Sequence, residues 1–153
     1  MNNLSFDINS SKDFLNKLIE DFKDYLKSDN SSRMALNCAM TSWHLSEWVF
    51  HEYELGGQFS KIKDFQKHLK ELCPSLQIMH DISNGSKHYK LNTHKPKVKE
   101  TERKTGTFDK TFDFSFDRTM LKIVMPNNQI AVFDEELEKT IAFWKEFMNN
   151  LDS

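Results

Sequence analysis

Neither glycine nor proline interrupts residues 33–55, and Gly56-Gly57 then closes the run. A stretch of that length without a breaker predicts one long helix, the spine of whatever fold the chain adopts. The rest of the sequence is equally poor in turn residues, with 4 Gly and 3 Pro in 153 residues. That excludes a glycine-rich phosphate loop, a proline-rich tract and an all-β sandwich. The length suits a single domain, 1–153, with one core, and 13 Phe and 3 Trp make an intrinsically disordered chain untenable. No internal repeat or sustained heptad pattern is present.

Further helices follow from caps and spacing. Ser10 or Ser11 caps a first helix, with Asp13 completing a capping box and Phe14, Leu15, Leu18, Phe22, Tyr25 and Leu26 as its stripe. It should end near Ser28. A third helix starts at Ser60 and carries Ile62, Phe65, Leu69 and Leu72, and Cys73-Pro74 separates it from a fourth reaching about His88. Asn84-Gly85 near its end costs roughly 1 kcal/mol or more in helix propensity; a left-handed helix cap is one explanation. Residues 111–116 alternate apolar and polar as a strand does, and residues 120–125 and 129–133 flank a Pro126-Asn127-Asn128 turn. The final helix opens on Asp134, Glu135 and Glu136 and buries Leu137, Ile141, Trp144, Met148 and Leu151. The expected fold is mainly α (α+β): about five helices, with a small antiparallel sheet of about three strands inserted before the last. The bundle is assigned to 11–90 and 134–151, a basic loop to 90–107 and the β insertion to 108–133.

Net charge is -2, but residues 87–104 alone carry six Lys and one Arg against two Glu. Such a segment suits phosphate-backbone binding by Lys90, Lys95, Lys97, Lys99, Arg103 and Lys104 through counterion release, or it is a solvated loop. Cys38 and Cys73 form neither a CxxC pair nor a disulfide framework, which points to reduced thiols in a cytoplasmic protein. No secretory signal pattern or membrane-spanning run is present, so no membrane association is expected.

The densest polar cluster is residues 80–88, His-Asp-Ile-Ser-Asn-Gly-Ser-Lys-His. On a helix Asp81, Asn84 and His88 share a face, where Asn84 could orient a phosphate, His88 move a proton and Lys87 stabilise an anionic oxygen. Residues 83–88, late in a helix of an α-bundle, resemble the active-site stretch of HEPN domains, in which an Arg and a polar residue precede a His. Asn84 and His88 match the polar residue and the His; Ser83 stands at the Arg position. The resemblance implies a helical bundle, a homodimer, and either metal-independent RNA cleavage or non-catalytic nucleotide binding. The chain is also similar to bacterial and phage-encoded proteins of no assigned activity, through Trp43-His44-Leu45-Ser46-Glu47-Trp48, the stretch from Asp81 to His88 and Phe143-Trp144.

A different chemistry is offered by His44, Glu47 and His51, at i, i+3 and i+7 on the long helix, as weak candidates for zinc or iron, with His80, Asp81 or His88 adding ligands. Packing is the commoner use of such histidines, so no cofactor is assigned. Trp43, Trp48, Met34 and Met40 read as core and Cys38 as a structural thiol. The leading reading is a nucleic-acid- or nucleotide-binding domain with Asn84, Lys87 and His88 as its site. The competing one is a non-enzymatic protein, active in phage and host conflict, that docks a protein partner through its basic loop or a sheet edge.

Overall fold

A computed structural model describes residues 4–91, 94–105 and 119–153. Five helices carry the fold: α1 (Ser11–Lys27), α2 (Ser32–Glu52), α3 (Ile62–Leu72), α4 (Ser75–Lys87) and α5 (Phe133–Asp152), with a 3-10 turn at Leu55–Gly57. Before α5 come β1 (Glu100–Lys104), β2 (Met120–Val124) and β3 (Ile130–Val132), an antiparallel sheet in the order β1-β2-β3.

Local chemistry explains the helix starts. Ser10 Oγ accepts from the Asp13 amide at 3.0 Å, and Asp13 Oδ2 accepts from the Ser10 amide at 3.1 Å, the capping box the sequence predicts. Leu15, Leu18 and Tyr25 of the α1 stripe are buried, whereas Leu26 is 44% exposed and belongs to the outer face. α2 is the spine: Ala35, Cys38, Ala39, Thr41, Ser42, Trp43, Leu45, Ser46 and Val49 are all buried. Its serines can sit among apolar neighbours because their hydroxyls donate to Ala39 O (3.0 Å) and Trp43 O (2.7 Å) of the same helix. Trp43 is core as expected; Trp48 is half-buried and stacks on Phe14 with ring centroids 4.7 Å apart.

α5 closes the bundle through long-range bonds. Buried Trp144 donates its indole N–H to Ser42 O at 3.0 Å. Near one end of α5, Tyr25 donates to Asp134 (2.5 Å); near the other, Tyr53 donates to Asp152 (2.8 Å). One core cluster takes residues from all five helices and Ile123 of β2.

Two expectations change. The sheet has three antiparallel strands in the expected place, but its first strand is Glu100–Lys104, inside the stretch 90–107 read as a basic loop. β1 pairs with β2 from Glu100 opposite Val124 to Lys104 opposite Met120, and all five of its side chains are exposed. Its backbone bonds come from β2, not from any alternation of its own. The expected strand at 111–116 lies outside the described residues. Asn84-Gly85 is not a left-handed cap either: α4 continues to Lys87, His88 ends it with an extended backbone, and no described glycine has positive φ.

Candidate functional site

α4 exposes different chemistry at different points along its length. At its C-terminal end Lys87 and His88 are exposed and Asn84 is half-buried, with the His88 amide donating to Asn84 O at 3.1 Å. Ser83, at the position where the HEPN pattern carries Arg, is turned into the bundle with 6% exposure. Gly85 is exposed, and a Cβ there would meet nothing within 4 Å. Beside it opens a hollow of about 380 Å³ bounded by Gly85, Ser86, Leu36, Pro96 and Lys99. Gly85 and Ser86 of the α4 motif and Lys99 of the basic segment therefore border one hollow, together with Glu100.

His44 on α2 is drawn toward the same end. Its side chain keeps solvent access, but surrounding protein excludes enough water to hold its imidazole below its ordinary pKa, an effect opposed by Glu47 and reinforced by the charges of Lys87 and Lys17. His44, Glu47 and His51 do not bring their ligand atoms together: among the described residues that is done by His80, Asp81 and His94. His51 instead packs edge-on against Phe50.

Asp81 does not join the face of Asn84 and His88. It is 4% exposed, and both of its oxygens are engaged. Oδ1 accepts from Gln77 Nε2 and lies 2.8 Å from His94 Nε2; Oδ2 accepts from the amides of Lys97 (2.8 Å) and Val98 (2.9 Å). Its carboxylate thus clamps the 94–98 segment onto α4. His80, one residue earlier, stacks on Trp43 with centroids 4.0 Å apart and planes 12° apart, and Lys70 Nζ lies 4.8 Å from the Trp43 ring and 2.7 Å from His80 Nδ1. A charged Lys70 can only donate, so Nδ1 accepts in this contact and a neutral His80 then carries its proton on Nε2. Burial, then Lys70 and His94, push its pKa down to about 4 against the pull of Asp81. Lys70 in turn is lowered by its own burial. As a metal site the trio is poorly disposed: four donors already occupy Asp81, and Lys70 lies 2.7 Å from His80 Nδ1, so Nε2 is the one ring nitrogen without that ammonium beside it.

The basic residues do not form one strip. Lys99 Nζ reaches Asn128 in the β2–β3 turn (2.9 Å), Arg103 lies 3.8 Å from Asp29 between α1 and α2, and Lys90, Lys95 and Lys104 are exposed. Lys97 instead joins Lys63, Lys67 and Lys70 around a cleft of about 790 Å³ that includes His80. The α3 lysines sit at i, i+4 and i+7, opposite buried Phe65 and Leu69, a one-sided charge pattern present in the sequence but not singled out from it as a surface. What could not be read was the clamp that swings Lys97 across to meet them.

Compared with models of protein families, with curated proteins and with solved structures, the chain matches none.

Proposed function

We propose that the protein is a HEPN-like domain that binds RNA or a nucleotide at the C-terminal end of α4. The observation that supports this reading is the hollow bordered by Gly85 and Ser86 of the motif and by Lys99 of the basic segment, at the end of α4 where Lys87 and His88 are exposed. Asn84 offers an amide to a phosphate or base edge, Lys87 a compact positive charge, and His88 an accessible imidazole. The apolar walls, Leu36, Ile82 and Leu91, suit the face of a base.

Cleavage at this site is a metal-independent transesterification. The ribose 2'-oxygen attacks the adjacent phosphorus while its proton passes to the imidazole of His88; the P–O5' bond breaks, the departing 5'-oxygen takes a proton from water, and the hydroxide left behind returns His88 to its neutral form. The products are a 2',3'-cyclic phosphate and a 5'-hydroxyl. Lys87 offsets the charge that gathers on the phosphoryl oxygens, the part an arginine plays in the family pattern; Arg103 is held at Asp29. As the resemblance implies, two copies would bring two such ends together.

The test is incubation of wild-type and His88→Ala protein with structured and unstructured RNA in EDTA. Wild-type cleavage that His88→Ala lacks supports the enzyme; binding by both without cleavage supports a non-catalytic domain. A protein that neither binds nor cleaves either RNA refutes the proposal. Docking of a protein partner along the sheet edge draws less support, because four of the five exposed β1 residues are charged, a pattern that discourages strand addition.

A further inference from the structure

We infer that the cleft between α3, α4 and the 94–98 segment is a second binding site, separate from the end of α4, for a compact phosphate-bearing ligand such as a phosphomonoester or diphosphate. Four cations line it: Lys63, Lys67 and Lys70 from one face of α3, and Lys97 from the segment that Asp81 clamps in place. Glu71 is the one acidic residue among the lining groups.

Lys70 is what distinguishes this cleft from a solvated lysine face. An exposed lysine has water for a partner. Lys70 is half-buried, its ammonium lies against the Trp43 ring and His80 Nδ1, and among the described residues no carboxylate comes within ion-pair distance of it. A half-buried cation whose nearest polar contact is a neutral ring nitrogen is electrostatically unfinished, and an anion entering the cleft completes it. Burial lowers its pKa, and the charge of Asp81 offsets that only in part. The nearest buried carboxylate, Asp81, is engaged by four donors and cannot turn to serve it.

Shape and chemistry then select the ligand class. The lysines present compact point charges on flexible stems, which can gather around the several oxygens of a phosphate from different directions. His80 borders the cleft, and in its neutral form it has an N–H on Nε2 to donate to one of those oxygens. The volume, about 790 Å³, exceeds a phosphate, and Pro74, Ile78 and Met125 provide apolar wall for whatever carries it. About eight residues of helix separate His80 from His88, roughly 12 Å at 1.5 Å per residue, so the two sites are distinct.

The test is titration of the full chain with pyrophosphate and inorganic phosphate, followed by NMR of the His80 ring and the Lys97 amide, with sulfate at equal ionic strength as control. Shifts should saturate at His80 and Lys97, with pyrophosphate tighter than sulfate. Lys70→Met, which keeps the stem against Trp43, should weaken pyrophosphate at least tenfold. Lys67→Gln, an exposed change that leaves packing intact, should weaken it severalfold, and His88→Ala should leave it unchanged. Shifts scattered over the surface, affinity equal to that for sulfate, or wild-type affinity in Lys67→Gln would overturn the inference. Because His88→Ala is silent here and decisive in the RNA assay, the two proposals fail separately.

Discussion

Removing the Asp81 carboxylate gives the sharpest test of how the site is held. In Asp81→Ala the amides of Lys97 and Val98 lose their acceptor, as do Gln77 and His94. The side chains can turn to water, but two backbone N–H groups beside a residue of 4% exposure are harder to resolvate. At about 1–3 kcal/mol for each orphaned buried group, and allowing for partial rescue by water, the loss should be about 3 kcal/mol. With a urea dependence of about 2 kcal/mol per molar, the unfolding midpoint should fall by about 1.5 M. Asp81→Asn keeps one carbonyl oxygen for the two amides and meets Gln77 and His94 with an NH2 group, to which Gln77 can adapt by flipping and His94 by changing tautomer. Its cost should be near 1 kcal/mol. Hydrogen exchange supplies the local readout: protection of the Lys97 and Val98 amides should vanish in the alanine variant and survive in the asparagine variant. A midpoint within 0.3 M of wild type for Asp81→Ala, with both amides still protected, would show that the clamp does not hold the segment.

Two further outcomes are expected. His80 has a folded-state pKa near 4 against an ordinary value near 6.5, so the unfolded chain binds the extra proton first; its contribution to stability is complete above about 6.5 and is lost as the pH falls toward 4. The His80 ring resonance should titrate near 4, and His80→Gln should flatten that part of the stability profile; a midpoint near 6.5 contradicts the stacked, lysine-facing arrangement. Cys38 and Cys73 are buried free thiols with raised pKa values, Cys38 to about 12, because burial disfavours the thiolate. Neither should react with iodoacetamide at pH 8 until urea unfolds the chain, and rapid labelling of the native protein would refute that burial.

The helices were legible because their signals are local. Ser10 and Asp13 bracket a helix start within four residues, whereas α2 ends at Glu52, before the expected stop: Glu54 turns left-handed and Gly56-Gly57 fall in the 3-10 turn that follows. Residues 120–124 announce a strand through their own side chains, whereas Glu-Thr-Glu-Arg-Lys at 100–104 does not: β1 exists because β2 offers it an edge, and no pattern within five polar residues encodes that. The site divides in the same way. Exposure of Lys87 and His88 followed from their place at a helix end. The inward turn of Asp81 did not, since two of its partners are backbone amides 16 and 17 residues away, without side-chain identity to advertise them. Gly85 misled because a glycine near a helix end usually caps it, and here it lies within the helix beside an open hollow.

The bonds that α5 makes also constrain when the molecule can fold. Trp144 reaches back 102 residues to Ser42, Tyr25 spans 109 to Asp134 and Tyr53 spans 99 to Asp152. During synthesis α1 to α4 emerge long before these partners exist, and the face of α2 that receives Trp144 stays uncovered until residues 133–152 have been made. The nascent chain is thus a helical assembly with one open seam, and loop-closure entropy places the sealing of that seam late in folding.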